Sequence, residues 1–139
     1  MNSDDEGVLE AARAIRPYLK ELVQPATAAA ELDRQLADEL RQVTDRSGTA
    51  GRLRILLERQ EDTAWFLGSV LADAPGHRPP YYQSGYVARG GPASPLGDAM
   101  PIASDRYNCP DCGNFVWYRP DIGTPVVRCP DDDALLIQV

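Results

Sequence analysis

A cysteine-rich segment near the C-terminus reads RYNCPDCGNFVWYR over residues 106–119 and VVRCPDDD over residues 126–133. It holds all three cysteines of the chain, a Cys-x-x-Cys pair and, after 16 intervening residues, a single Cys-Pro step. This spacing fits the C-x₂-C-x₁₅₋₂₀-C-x₂-C template of zinc sites except at its last position. Two thiolates on one tight turn reach the same ion, and a second such turn completes a tetrahedron. The segment therefore predicts a metal site that contains Cys109, Cys112 and Cys129.

The same segment resembles the rubredoxin-like zinc ribbons. The likeness lies in the CPDCG knuckle at residues 109–113, the aromatic strand at residues 115–118 and the second corner at Cys129. It covers about 34 of the 139 residues, and the N-terminal region shows no such resemblance. The resemblance implies a small antiparallel β module with a metal between two knuckles. Where these ribbons have a fourth cysteine or histidine this chain has Asp132, and the glycine that usually follows is Asp133.

The sequence leaves the fourth ligand open. Asp132 is the first candidate, because zinc accepts a carboxylate oxygen and the site would then be Cys₃Asp. Asp131, Asp133 or His77 are the alternatives. A further alternative is a degenerate, metal-free site held by packing alone, through Phe115, Trp117, Val126, Leu135 and Ile137. A hard carboxylate in place of one thiolate favours zinc over iron.

Residues 4–73 carry apolar side chains at helical spacing and predict three antiparallel helices joined by short loops. Pro17 should kink or split the first helix, and Pro25 should end it. The three apolar stripes are Val8, Ala12, Ile15, Leu19 and Leu22; Ala29, Leu32, Leu36, Leu40 and Val43; and Leu53, Leu56, Leu57, Ala64, Leu67 and Leu71. Because each stripe must bury itself against the others, we expect a helical bundle over residues 1–74.

The chain changes character at residues 75–104. Six prolines and five glycines lie in residues 75–101, which is typical of a linker or an extended arm. Tyr81, Tyr82 and Tyr86 also lie there, and disordered linkers are usually poor in aromatic residues. We therefore expect part of this arm to pack on the chain's own helices or to add a strand to the ribbon. Docking onto a partner protein is the alternative.

These features together predict an α+β fold with three parts. A three-helix antiparallel bundle at residues 1–74 is followed by the arm at residues 75–104 and by a small antiparallel β zinc ribbon at residues 105–139. A module of under about 40 residues rarely buries enough apolar surface to fold alone. We therefore expect the ribbon, and not the helical bundle, to depend on a metal.

Composition restricts the partners and the compartment. The net charge of −7 argues against nucleic acid as the main partner, because phosphate binding requires clustered Lys and Arg. The sequence has neither the pattern of a signal peptide nor the roughly 18 consecutive apolar residues of a membrane span. A Cys-x-x-Cys pair suits metal binding in a reducing compartment. We expect a cytoplasmic protein without a membrane segment, and an Arg-rich composition with Lys20 as its one lysine indicates a bacterial source.

The sequence favours a noncatalytic interaction or adaptor protein that binds a larger protein, as do accessory subunits of bacterial conflict and signalling systems. One histidine and the lack of a Gly-rich phosphate loop restrict acid–base and nucleotide chemistry, so we do not expect an enzyme. The candidate partner-binding residues are Tyr81, Tyr82 and Tyr86 in the arm and Tyr118, Arg119 and Asp121 as exposed residues of the ribbon. Two other hypotheses remain: a rubredoxin-like electron carrier or metal-dependent enzyme component, and a nucleic-acid-binding regulator.

Overall fold

The computed structural model describes residues 3–42, 45–74, 76–83, 105–119 and 123–138. The helical part comprises α1 (Ser3–Ile15), a 3₁₀ turn (Arg16–Tyr18), α2 (Leu19–Leu22), α3 (Ala26–Arg41), α4 (Arg46–Glu58) and α5 (Glu61–Ala72). A second 3₁₀ turn (Pro80–Tyr82) is followed by β1 (Arg106–Asn108), β2 (Val116–Tyr118) and β3 (Ile137–Gln138). The predicted combination of helices with a small antiparallel sheet is confirmed. Three residues considered above, Val43, Tyr86 and Asp121, lie outside the described residues.

Helix α1 is the centre of the helical part. It packs against α4 and α5, and its side chains Val8, Leu9 and Ile15 are at most 1 % exposed. The buried residues of α3 are Ala29, Leu32, Leu36, Ala37 and Leu40, which include the described members of the second predicted stripe. No helix in the described part of the chain is both long enough and apolar enough to cross a membrane.

The third predicted helix is two helices in the structure. Helix α4 ends at Glu58 and α5 begins at Glu61, and Gln60 between them is extended. The buried hydroxyl of Thr63 lies within hydrogen-bonding distance of the carbonyl oxygens of Leu57 and Gln60, and that of Leu57 lies in the last turn of α4, where carbonyls have no helical partners. The described residues therefore contain four helices of 12 to 16 residues, not the predicted three.

Pro17 interrupts the first helix, as its position predicts. Helix α1 stops at Ile15, Pro17 lies inside the 3₁₀ turn, and α2 adds one more turn that ends at Leu22. Proline removes one backbone donor, and its ring clashes with the preceding turn of an α-helix. At this interruption the side chain of Arg16 is buried against the small C-terminal β module, described over residues 105–119 and 123–138 and called the ribbon below as a label only.

The strands lie in the order β2-β1-β3, and both pairings are antiparallel. Side chains alternate between the two faces of a strand, so a shift of one residue exchanges the faces. Leu136 is buried, whereas Leu135 and Ile137 are 51 % and 49 % exposed. The alternative of a site held by packing alone is therefore wrong in placing Leu135 and Ile137 in the core, because Leu136 between them is the buried residue. The core of the ribbon comprises Tyr107, Cys109, Phe115, Trp117, Cys129 and Leu136, with Cys112, Val126 and Ala134 packed against it.

Strand β2 joins the ribbon to the helices. Trp117 faces the ribbon core, while its neighbours Val116 and Tyr118 belong to the hydrophobic cluster of the helical part. An ion pair between Arg106 of β1 and Glu10 of α1, at 3.0 Å, crosses the same boundary. The ribbon therefore packs on the helices, with one strand shared by two cores.

The described part of the arm is buried inside the molecule. The ring of Tyr81 lies 4.8 Å from that of Tyr18, and the ring of Tyr82 stacks on that of Tyr118 at 5.3 Å. The hydroxyl of Tyr82 also donates a hydrogen bond to the backbone carbonyl of Tyr118 (2.9 Å). The described part of the arm therefore packs on the chain's own helices as a 3₁₀ turn and not as a strand. Tyr118 is 5 % exposed, so the prediction that it is exposed on the ribbon is wrong.

We expect Tyr82→Phe to lower the free energy of unfolding by about 1–3 kcal/mol, because it leaves the buried carbonyl of Tyr118 without its donor while it keeps the ring stack. Urea denaturation monitored by circular dichroism measures the difference. A stability equal to that of the wild type would show that this hydrogen bond contributes nothing to the attachment of the ribbon.

Candidate metal centre

The first knuckle, at residues 109–113, and the second corner, at residues 129–133 and called the second knuckle below, have the same backbone turn. The amide of Gly113 donates to the carbonyl oxygen of Cys109 (3.2 Å), and the amide of Asp133 donates to that of Cys129 (2.8 Å). Gly113 and Asp133 are both left-handed, with φ angles of 68° and 60°. Glycine adopts this conformation without penalty, and aspartate is one of the few other residues that tolerate it. The replacement of the usual glycine by Asp133 therefore leaves the second knuckle intact.

The two knuckles bring the predicted metal-binding residues together. Ligand atoms of Cys109, Cys112, Cys129 and Asp132 all lie within 4.8 Å of one another. The sulfurs of Cys112 and Cys129 are 3.7 Å apart, and each carboxylate oxygen of Asp132 lies 3.3 Å from the sulfur of Cys109. In a tetrahedral zinc site, sulfurs bound at about 2.3 Å lie about 3.8 Å apart, and an oxygen bound at about 2.0 Å lies about 3.5 Å from each sulfur. The Cys112–Cys129 separation matches that of a tetrahedral ion and the Cys109–Asp132 separation is slightly shorter, so this compact cluster is able to hold a metal.

Asp132 occupies the position of the second cysteine of a knuckle in its hydrogen bonding as well as in sequence. In the first knuckle the amide of Asn114 donates to the sulfur of Cys112 (3.4 Å), two residues earlier. In the second, the amide of Ala134 donates to Oδ1 of Asp132 (3.1 Å), again two residues earlier. Amide donors of this kind orient a ligand and stabilise its anionic form.

Burial raises the pKa of the Cys112 thiol to about 12 and also raises the pKa of Cys129. The pKa of Asp132 is lowered, first by the hydrogen bond from the amide of Ala134. Near pH 7 the carboxylate is therefore ionised and these two thiols are protonated. An ion that binds through the sulfurs must displace protons, so its affinity falls as the pH falls.

The other candidates for the fourth ligand lie elsewhere. Both carboxylate oxygens of Asp131 accept hydrogen bonds from Arg16, at 2.8 Å each. His77 lies against the start of α1, where a Cβ on Gly7 would meet its Nε2 at 2.9 Å. Within the described residues, the cluster of metal-binding groups includes neither of these side chains nor that of Asp133.

Arg16 is the important residue at this centre that the sequence analysis missed. Its side chain is fully buried, and it contacts Asp33 of α3 as well as Asp131 of the second knuckle. Burial by itself would lower the pKa of Arg16, but the hydrogen bonds that it donates to Asp131 and Asp33 raise it, so the guanidinium stays charged. The one signal in the sequence was a charged residue between Ile15 and Pro17, which is compatible with an exposed position.

Arg119 has a structural role in the ribbon. It donates hydrogen bonds to the carbonyl oxygen of Thr124 (2.9 Å) and to the hydroxyl of Tyr107 (3.1 Å). Arg119 directly follows β2. Its two hydrogen bonds connect Thr124, which precedes the second knuckle, to Tyr107 of β1. The side chain is half-buried, and part of it is available to solvent.

A groove of about 460 Å³ lies beside the metal centre, between the ribbon and the helices. Its apolar lining comes from both sides, mainly from Ala26, Ala29, Ala30, Phe115, Trp117 and Val127. Arg16, Lys20, Arg128 and Asp33 supply its charged groups. The groove thus depends on the packing of the ribbon against α3 and on the turn that contains Arg16.

Neither a protein-family model, nor a curated protein, nor a solved structure matches this chain. The likeness to zinc ribbons therefore rests on the knuckle motif and on the cluster that it forms.

We expect Asp132→Cys to raise zinc affinity and Asp132→Ala to lower it by about tenfold or more, because a thiolate completes a four-sulfur site and alanine removes a donor. Competition titration against a coloured chelator measures both changes. The matched control is Asp111→Ala, since Asp111 is an exposed carboxylate of the first knuckle that lies outside the cluster. If Asp132→Ala and Asp111→Ala bind zinc equally well, Asp132 is not a ligand.

Proposed function

We propose that this chain is a noncatalytic, zinc-stabilised interaction protein that binds a larger protein in a reducing compartment such as the cytoplasm. The observation that carries the proposal is the Cys₃Asp cluster, whose four ligand atoms lie within 4.8 Å of one another, with the sulfurs of Cys112 and Cys129 3.7 Å apart. Four protein ligands leave no open coordination position, which is the arrangement of structural and not of catalytic zinc.

Zinc is the metal that this donor set favours. Three thiolates select soft or borderline ions, and one carboxylate is accepted by zinc but differs from the four thiolates of an iron–rubredoxin site. Zinc has no redox chemistry, so its contribution here would be to hold the two knuckles together. The groove beside the ribbon would then depend on the metal for its shape.

The groove is the contact surface that we propose for the partner. Its apolar lining suits apolar side chains, and its exposed cations are Lys20 and Arg128, in a chain of net charge −7. This local positive charge favours a partner segment with a carboxylate beside its apolar residues. Tyr81 and Tyr82, expected from the sequence to contact a partner, are buried in the helical core and contribute nothing to this surface.

Metal analysis of protein purified from cells without added metal tests the first part of the proposal. We expect one zinc per chain and a colourless protein. A coloured, iron-loaded protein would favour electron transfer instead, and a fully folded protein without any bound metal would overturn the proposal.

Co-purification from lysate of the native host tests the second part. We expect a partner protein to be recovered with the wild type and to be lost with Lys20→Glu and with Ala30→Glu, because both changes place negative charge in the groove. Ile55→Glu is the matched control, since Ile55 is 59 % exposed and lies outside the groove. Equal recovery of the partner with all variants would show that the interface lies outside the groove. Recovery of DNA or RNA in place of a protein would contradict the interpretation of the net charge.

A further inference from the structure

We propose that Arg16, a residue of the helical part, is the positioning residue of the metal centre: it holds the two knuckles at their ligating separation and couples metal binding to the attachment of the ribbon. This inference rests on the proposed metal site. It adds that Arg16, a residue outside the ribbon, sets the metal affinity of that site. It also links the metal to the groove, because Arg16 is one of the residues that line the groove.

The guanidinium of Arg16 has no unused donor. Its NH1 and NH2 groups donate to the two carboxylate oxygens of Asp131, at 2.8 Å each. The Nε and NH2 groups donate to Asp33 (2.6 and 3.3 Å), and NH1 also donates to the backbone carbonyl of Asn114 (3.1 Å). These five contacts match the five N–H groups of an arginine, and the side chain is 0 % exposed. A guanidinium group that donates every N–H group to partners inside the protein fixes those partners in direction as well as in distance.

Arg16 contacts both knuckles at residues that themselves hydrogen-bond to a metal-binding sulfur. The amide of Asn114 donates to the sulfur of Cys112, and the amide of Asp131 donates to the sulfur of Cys129, each at 3.4 Å. One buried side chain thus bridges the carbonyl that follows the first knuckle and the carboxylate within the second. The same two sulfurs, of Cys112 and Cys129, lie 3.7 Å apart. Outer partners of this kind change metal affinity by about 10–100-fold when they are removed.

The coupling must act in both directions. If the bonds of Arg16 to the knuckles raise the affinity for zinc, bound zinc must strengthen the attachment of Arg16 and its turn to the ribbon by the same factor. The contact with Asp33 extends this effect to α3, which forms one side of the groove. Metal occupancy would therefore set the shape of the groove through Arg16.

The test compares Arg16→Lys with Arg106→Lys in the full-length chain. Both wild-type arginines form ion pairs across the boundary between helices and ribbon, but Arg106 pairs with Glu10 and touches neither knuckle. We expect competition titration to give a zinc affinity about 10–100-fold lower for Arg16→Lys and close to that of the wild type for Arg106→Lys. Cobalt(II) in place of zinc supplies a spectroscopic signature: the ligand-field bands should shift in Arg16→Lys and stay unchanged in Arg106→Lys.

A second pair of variants leaves Arg16 in place, in case its replacement prevents folding. Asp131→Asn weakens the two hydrogen bonds that Arg16 donates to the second knuckle. Asp111→Asn changes the equivalent residue of the first knuckle and is the matched control. We expect lower zinc affinity for the former only. If the wild type binds zinc and all four variants bind it equally well, the coupling through Arg16 is refuted while the metal site stands. If the wild type binds no zinc, the metal site and the coupling both fail.

Discussion

Cys129→Ser is expected to abolish stable zinc binding and to unfold the ribbon while most of the helical part stays folded. The described ribbon spans residues 105–119 and 123–138, fewer than the roughly 40 residues below which a module usually needs a metal or a disulfide. Binding of structural zinc supplies about 10 kcal/mol or more of folding free energy in zinc-finger peptides near pH 7. Removal of one of three thiolates should lose most of this contribution.

Hydrogen exchange followed by mass spectrometry locates the effect. Peptides from residues 105–138 should lose protection in Cys129→Ser, and in the wild type treated with a chelator. Peptides from α4 and α5 should keep most of theirs, because their core includes only Val116 and Tyr118 from the ribbon. An intermediate loss is expected around the turn Arg16–Tyr18, where α1 meets the ribbon. Full protection of the ribbon after chelation would show that its packing alone holds it.

The cluster of Cys109, Cys112, Cys129 and Asp132 could be predicted from the sequence because the geometry of each turn is local. A Cys-x-x-Cys step and its turn are formed by five consecutive residues, and Asp132 holds the same place in the second turn as Cys112 in the first. Only the meeting of the two turns is non-local, and the zinc-site template already implies it.

The errors in the fold prediction come from effects that periodicity does not record. Leu53 to Leu71 continue one helical pattern across Gln60, but at the break the hydroxyl of Thr63 lies within hydrogen-bonding distance of the carbonyl of Leu57 in the last turn of α4, a contact that the apolar pattern does not include. The segment ALLIQ at residues 134–138 would place apolar side chains on both faces of a strand. The apolar pattern alone therefore could not decide whether Leu135 or Leu136 points inward. In the structure the pairing with β1 fixes that choice.

The attachment of the ribbon to the helices was the least predictable feature. Arg16 and Asp131 are 115 positions apart in the chain, and each is of a residue type that is usually exposed. The run at residues 115–118, which contains β2, indicated this attachment. A strand with Phe115, Val116, Trp117 and Tyr118 in succession has no polar face. A strand of this kind needs cover on both faces, which a free ribbon at the end of a linker does not provide.

Phe66→Ala should be the most destabilising single change in the helical core, with a loss of about 3–5 kcal/mol in the free energy of unfolding. Phe66 is 0 % exposed and its ring lies 6.0 Å from that of Tyr18 and 6.2 Å from that of Tyr81. The cavity would open beneath the 3₁₀ turn Pro80–Tyr82, whose last residue, Tyr82, stacks on Tyr118 of the ribbon. The damage should therefore extend from α5 to the attachment of the ribbon.

Urea denaturation with excess zinc measures this loss while the contribution of the metal is held constant. Ile55→Ala is the control, because Ile55 is 59 % exposed and its truncation should change stability by no more than about 0.5 kcal/mol. Hydrogen exchange in Phe66→Ala should show weaker protection in β2 as well as in α5, since both strand and helix pack on the same aromatic cluster. Weaker protection in α5 with an unchanged β2 would mean that the arm does not transmit stability from the helices to the ribbon, and Arg16 would then be left as the main connection between them.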